Sequence, residues 1–249
     1  MLKKERQSYI LHQVNLHNKV LSADLSVQMG VSDDTIRRDL QELAHSGMLI
    51  KVHGGALSHS FYSGPAASKE IYSYDNKRII AEKAVSLIKD GMFVLSSGGT
   101  TILEMARALP TELHATFISC SLPAVLEYAN HPHCEVIMVG DKVSKNSRFT
   151  AGPDAIARIR QVKSDLCFLG VNAIDAVHGI SDNDWDVVQV KKAMIESSNK
   201  VVCLSISEKI NTQQPIHVCA TNHIHTLITE LSPDDPMLQP YREAGIEVI

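Results

Sequence analysis

No run of apolar residues in this 249-residue chain is long enough to cross a bilayer. Stretches such as Met92–Leu95 fall far short of the roughly 20 residues that a spanning helix needs. The N-terminus, Met1-Leu-Lys-Lys-Glu-Arg-Gln7, starts with charge but lacks the apolar segment of a secretory signal. A cytoplasmic protein with no membrane attachment is therefore expected. The five cysteines, Cys120, Cys134, Cys167, Cys203 and Cys219, contain no C-x-x-C pair. Their odd number, with Cys167 and Cys203 inside apolar runs, points to buried reduced thiols. The twelve histidines are scattered. The one local cluster, His131-Pro132-His133-Cys134, is interrupted by proline and has no second pair of ligands, so it reads as a loop. No metal and no cofactor is expected. Internal repeats and low-complexity tracts are also missing.

A basic excess is lacking too, since the formal net charge is −4. The charge is unevenly placed, however. Residues 1–56 carry seven Lys+Arg against six Asp+Glu, and the remaining 193 carry 17 against 22. A slightly basic head on an acidic body has the sign expected of a DNA-binding module joined to something else.

The head reads as three helices and a hairpin. Residues 3–16 have apolar positions near helical spacing. Residues 22–29 form a short second helix, with Ser22 as its expected N-cap and Gly30 as its breaker. A third helix starts at Ser32, an N-cap followed by Asp33 and Asp34 in the first turn, where the helix dipole favours acids. Ile36, Leu40 and Leu43 make its apolar stripe. Extended pieces at Met48–Val52 and Ala56–Ser58 then flank His53-Gly54-Gly55. This order is that of a winged helix-turn-helix. Thr35 and Arg38 share the exposed face of the third helix, with Arg37 beside them. A helix N-terminus with hydroxyls and arginines suits phosphate contact and guanine readout. The wing adds Lys51, His53 and two glycines able to approach a DNA backbone closely. Two adjacent arginines alone would be an ordinary solvated face, but caps, turn glycine and basic wing together point to double-stranded DNA.

Residues 57–75, rich in serine with Gly64 and Pro65, read as a linker. From residue 76 helices and strands alternate. Helices are expected over Asn76–Lys89, Thr101–Leu109, Pro123–Ala129, Pro153–Gln161 and Val187–Ser197. Strands are expected over Met92–Ser96, Ala115–Ser119, Glu135–Val139, Leu166–Val171, Val201–Leu204 and, last, His225–Ile228. Continuous apolar strands between helices predict a mainly parallel sheet covered on both faces. Ser96-Ser97-Gly98-Gly99-Thr100-Thr101 follows one strand and opens a helix. Glycines that let the backbone curl, a helix N-terminus and threonine hydroxyls together suit a phosphate at the carboxyl end of such a sheet.

The stretch Val31-Ser32-Asp33-Asp34-Thr35-Ile36-Arg37-Arg38-Asp39-Leu40, with Gly47 to Ala56 behind it, closely resembles the head of DeoR-family repressors. That resemblance implies that Ser32, Thr35, Arg37 and Arg38 approach DNA, with Lys51, His53, Gly54 and Gly55 in the wing. Asp39 more plausibly orients an arginine, since a carboxylate facing phosphate would be repelled. From about Lys77 to Glu230 the body resembles the DeoR-type sensor domain, similar in fold to ribose-5-phosphate isomerase and usually responsive to a phosphorylated sugar. The implied effector contacts are Ser97, Gly98, Gly99, Thr100, Thr101, Ser121, Gly140, Gly152, Gly170, Lys192 and Lys209. Three positions depart from the family. Ser97 stands for a usual aspartate, Cys120 for an asparagine and Ile206 for an aspartate. The departures point either to a phosphorylated ligand with fewer hydroxyls or one held differently, or to weakened sugar sensing; the retained Gly98–Thr101 turn, Lys192 and Lys209 favour the first.

An isomerase is the competing reading. Aldose–ketose isomerisation needs a carboxylate base. Between Gly170 and Asp175, where isomerases cluster acids, only Asp175 remains. The expected architecture is thus a winged helix-turn-helix over 1–57, a linker over 58–75 and an α/β sensor domain over 76–249. The expected function is that of an operon repressor, not an enzyme. It would act as a homodimer or homotetramer, because one head makes few contacts.

Overall fold

The computed structural model describes residues 2–58, 71–144 and 148–249. Most of the expected linker, 58–75, lies outside the described residues. The chain divides into two units, Met1–Tyr74 and Asp75–Ile249.

In the first unit, α1 (Lys3–His17) buries Ile10, Val14 and Leu16. A left-handed Asn18 ends it and leads into β1 (Lys19–Leu21), a strand not expected from sequence. In α2 (Ser22–Met29) the N-cap is Leu21, not Ser22. Ser22 is already inside the helix, and its amide is held by the Gly54 carbonyl at 2.8 Å, so it makes no capping bond. Gly30 closes the helix at φ 62°. In α3 (Asp33–His45) Ser32 does cap, its hydroxyl accepting from the Thr35 amide at 3.3 Å. The wing strands β2 (Ile50–Val52) and β3 (Gly55–Leu57) pair antiparallel, and β1 joins on the far side of β3. Ile10, Val14, Val20, Leu25, Ile36, Leu40, Leu43, Leu49 and Ala56 form one core beneath the three helices.

The second unit follows from α4 (Tyr74–Val85). Its elements then run β4 (Phe93–Ser96), α5 (Thr100–Arg107), β5 (Thr116–Ser119), α6 (Leu122–Ala129) and β6 (Glu135–Met138). After them come β7 (Lys142–Ser144), β8 (Phe149–Ala151), α7 (Pro153–Ile159), β9 (Ser164–Gly170), β10 (Ala173–Asp175) and β11 (Gly179–Asp182). The chain finishes through α8 (Trp185–Glu196), β12 (Ser198–Leu204), β13 (Ile216–Cys219), β14 (Thr226–Ile228), α9 (Gln239–Glu243) and β15 (Glu247–Val248). Seven strands build one sheet in the order β15-β14-β12-β9-β4-β5-β6, with every pairing parallel. The alternation expected from sequence is thus present. His225–Ile228 is not the last strand, because β15 adds to β14 at the sheet edge.

Two features have no counterpart in the expectation. One is the hairpin of β7 and β8, and the other a small antiparallel sheet ordered β10-β11-β13. Their strands have three or four residues, too few for a periodic signal. Leu95, Ile118, Cys167, Leu169, Val201, Cys203 and Leu227 lie in the main core on the sheet.

Candidate functional site

The DNA-facing candidates gather on two elements of the first unit. Ser32, Thr35, Arg37 and Arg38 occupy the start of α3. Ser32, Arg37 and Arg38 are exposed and Thr35 is half-buried. The Ser32 and Thr35 hydroxyls lie 2.9 Å apart. Arg37 turns back onto its own helix, its guanidinium 2.7 Å from Asp33 and 3.8 Å from Asp34. Arg38 makes no ion pair with any described residue. In the wing Lys51 donates to Gln41 on α3 at 2.7 Å, which ties the hairpin to the helix. His53 and Gly54 form the exposed turn, with Gly54 at φ 77°. Gly55 is placed differently from its expectation. It is buried in β3, and a Cβ there would collide with the Val20 carbonyl of β1. Its lack of a side chain therefore serves contact within the unit.

Asp39 does orient an arginine, but one distant in sequence. Its buried carboxylate pairs with Arg6 of α1, also accepting from the second guanidinium nitrogen at 3.3 Å and from Gln7 at 3.4 Å. Lys3 and Gln7 reach Glu42 in the same way. These contacts fix α3 against α1.

In the second unit the candidates converge at the carboxyl ends of β4, β5 and β9. Ser97 is buried, and its hydroxyl accepts from the Gly170 amide at 2.9 Å. That bond ties the turn after β4 to the end of β9 and leaves Ser97 as a brace. Gly98 lies against Gly170 so closely that a Cβ on Gly170 would stand 2.6 Å from the Gly98 carbonyl oxygen. A Cβ on Gly98 would in turn lie 3.3 Å from the Ser121 hydroxyl. Gly99 caps α5, whose first turn holds the buried Thr100 and Thr101. Gly140 backs onto Thr150, and Gly152 caps α7 beside the Asp141 carboxylate. Thr150 donates to the Cys120 carbonyl at 3.1 Å. Cys120 itself is buried, and burial pushes its thiol up to about 12. Ile206 is buried as well, so none of the three departing positions offers the charge or amide usual there.

The cations are partly different from those expected. Lys191, not Lys192, reaches the site. It is 3% exposed, and its ammonium donates to the Gly170 carbonyl at 2.9 Å and to Asp182 at 2.7 Å. Lys192 is half-buried on the flank of α8, within electrostatic reach of Cys219 on β13. Lys191 sits on the apolar stripe with Val188 and Met194, and helical spacing was a signal that could have selected it. Lys209 is 8% exposed and donates to the next carbonyl, that of Val171, at 3.2 Å. A third lysine, Lys77 of α4, is 3% exposed within reach of Lys209 and Glu104.

Burial, then repulsion from its neighbouring lysine, pushes Lys77 down to about 7 and Lys209 to about 8. Glu208 acts on both lysines, and two further acids nearby, Asp182 and Glu104, have partners of their own. Burial opposes ionisation of Asp182, yet Lys191 with Asn183 and Asn172 holds its carboxyl below the ordinary range. Glu104 is bonded to Arg107 at 2.8 Å, and burial raises it above the ordinary range. Neither Lys77 nor Asp182 had a signal in a local motif.

The remaining acid candidate, Asp175, is spent in a turn, accepting from the Val177 and His178 amides at 2.9 Å. Trp185, the one tryptophan, opens α8 next to its capping Asp184 and is 64% exposed. The histidine cluster is the loop expected. His131 accepts from the His133 and Cys134 amides and bonds the Pro110 carbonyl. Among the described residues no group of three His, Cys, Asp or Glu could hold a metal, and no helix is long and apolar enough to cross a membrane.

Two family models match the chain. The DeoR-like helix-turn-helix domain matches residues 6–61, and the DeoR C-terminal sensor domain matches residues 72–231. The HTH-type transcriptional regulator YulB of Bacillus subtilis is 30% identical over all of this chain and 96% of the relative. The HTH-type transcriptional regulator GolR of Listeria innocua is 28% identical over 98% of this chain and 97% of the relative. The HTH-type transcriptional repressor GlcR of Bacillus subtilis is 27% identical over all of this chain and 96% of the relative. Among solved structures, ribose 5-phosphate isomerase A from Methanocaldococcus jannaschii overlaps 56% of this chain and 55% of its own, at 19% identity and a TM-score of 0.42.

Proposed function

The chain belongs to the DeoR family of DNA-binding transcriptional regulators, and from that premise we propose that it represses a carbohydrate or related metabolic operon until a phosphorylated small molecule releases it. Residues 1–57 bind double-stranded operator DNA, 58–75 link, and 76–249 sense the effector. The observation that carries the sensing reading is the convergence at the end of β9. There Lys191 and Lys209 donate to the adjacent Gly170 and Val171 carbonyls, beside the Gly98–Thr101 turn that opens α5. Buried ammonium groups are costly unless compensated. Asp182 compensates Lys191, but Lys209 makes no ion pair with any described residue. A phosphate here would receive helix N-terminal amides and threonine hydroxyls and relieve the lysines at once.

The apolar Cys120 and Ile206 fit a ligand held chiefly through its phosphate. Catalysis is not expected, because protein donors hold both oxygens of Asp182 and the Oδ1 of Asp175. The protein works in the cytoplasm, as a homodimer or homotetramer that places heads on repeated half-sites.

Thermal unfolding of the purified protein against a panel of phosphorylated metabolites tests the sensing reading. A true effector at 100 times its Kd adds about 2.7 kcal/mol to stability and lowers affinity for operator DNA. A panel in which no compound moves the melting temperature removes the effector from the proposal. Lys209→Met should abolish the shift while leaving DNA binding intact.

A further inference from the structure

Among the described residues the two ends of the seven-stranded sheet are blunted to different degrees. A strand edge offers unpaired amides and carbonyls, and proteins blunt it by shortness, charge or proline. At one end β15 has two residues, of which Glu247 is charged. At the other, the four-residue β6 opens on the charged Glu135 and then presents Val136, Ile137 and Met138, none of them charged or proline. Glu135 and Val139 donate their amides inward, to the Ala115 and Ser119 carbonyls at 2.9 and 3.1 Å. Alternation along the strand therefore turns the amide and carbonyl of Val136 and Met138 outward. Ile137 and Met138 point to opposite faces, yet are 44% and 42% exposed. Leu126 on α6 and Val143 on β7 are exposed apolar residues on neighbouring elements. Apolar residues on both faces are the pattern of an inner strand whose neighbour is missing.

We propose that this edge is where two copies of the chain associate, β6 pairing antiparallel with β6 of the second copy about a two-fold axis at Ile137. The groups that point outward set the register. Val136 exchanges both backbone bonds with the partner subunit's Met138, and Met138 does the same with the partner subunit's Val136. Ile137 then faces its own copy in a non-hydrogen-bonded pair. In this register Glu135 lies opposite Val139 and His133 opposite Asp141, so no acid meets an acid. Placing the axis at Met138 would set Glu135 against Asp141, and placing it at Val136 would run Met138 past the start of the strand. The edge is thus complementary to itself, as an isologous interface must be. Its purpose rests on the reading that two heads act together on DNA, but its geometry does not.

Solution mass, measured by light scattering, and cross-linking test this. Ile137→Lys puts two ammonium groups at the axis, and the mass should fall by half with thermal unfolding still cooperative. Affinity for a paired half-site should drop about 100-fold as the linkage of two heads is lost, while affinity for a single half-site stays constant. Facing non-hydrogen-bonded residues have Cα atoms about 4.5 Å apart, within disulfide range. Ile137→Cys should therefore cross-link to its own copy on oxidation, whereas Met138→Cys and wild type should not.

A folded Ile137→Lys protein of wild-type mass overturns the proposal. So does an Ile137→Cys protein that fails to cross-link, or one matched by Met138→Cys. If Ile137→Lys does not fold, cross-linking decides alone. If its mass is unchanged and paired half-sites are still required, β6 is wrong and the paired-head reading stands. If wild type binds single and paired half-sites equally, that reading fails, and the mass measurement still judges β6.

Discussion

Arg37 and Arg38 are neighbours in sequence but differ in what holds them. Arg37 lies across Asp33 and Asp34, an exposed arrangement of the kind worth about 0.2–1 kcal/mol, which DNA can displace. It also covers two carboxylates that would otherwise repel phosphate. Arg38 has no acid to leave. Arg38→Ala should therefore cost about 1–3 kcal/mol of operator affinity per head and relax base preference. Arg37→Ala should cost less and act on all sequences alike, with a loss that shrinks at high salt. Titration of labelled operator and of a scrambled duplex at two salt concentrations separates these outcomes. A larger, sequence-selective loss for Arg37→Ala would reverse the assignment.

The buried lysines have a consequence for pH. The ordinary lysine value is 10.5, and Lys77 is pushed down to about 7 by burial and Lys209 to about 8. Between those folded values and 10.5 the unfolded chain binds protons that the folded one does not, so stability rises with pH. Without ligand the melting temperature should climb from pH 7 toward pH 9. The climb should flatten above pH 9, where burial keeps Cys120 and Cys167 protonated to about 12 in the fold against an ordinary 9.0, and reverse above 10.5, where the lysines add nothing more. Lys77→Met should raise the melting temperature at pH 7 and flatten the climb. A wild-type profile that declines steadily from pH 7 would contradict this placement of the lysines.

At the scale of elements, α3 owes its start to one hydroxyl. Ser32 caps the helix and is also a candidate for DNA contact, and substitution can separate the two roles. Ser32→Ala should cost about 1 kcal/mol of stability in the first unit. Ser32→Asp keeps a capping acceptor, and should hold the melting temperature while weakening DNA binding through charge repulsion.

Elements of this kind were legible in the sequence. A cap, a stripe at Ile36, Leu40 and Leu43 and a breaking glycine are all local, and so are the long apolar strands of the sheet. What escaped depends on contacts far apart in the chain. Asp39 meets Arg6 across 33 residues, Lys77 belongs with Lys209, and β15 finds β14 only after the last helix. Lys191 was missed by a single position, although helical spacing distinguishes it from Lys192. Ser22 looked like a cap because its residue type was right, but a backbone bond from the wing had already drawn it into the helix. Gly55 looked like a DNA-approach glycine, because local sequence does not reveal that β1 passes beside it.

At the scale of the molecule, two units carry two tasks, and coupling of about 1–3 kcal/mol between effector and operator binding is enough for regulation. Association through β6 would multiply whatever each head contributes. Trp185 gives a practical handle on this division. It is the chain's one tryptophan, stands largely in solvent and opens the helix that carries Lys191. Its fluorescence therefore belongs wholly to the second unit, and the first unit is dark at indole wavelengths. Emission followed beside far-ultraviolet dichroism, which sums over both units, resolves in one cuvette whether they unfold together or one after the other, with no label introduced.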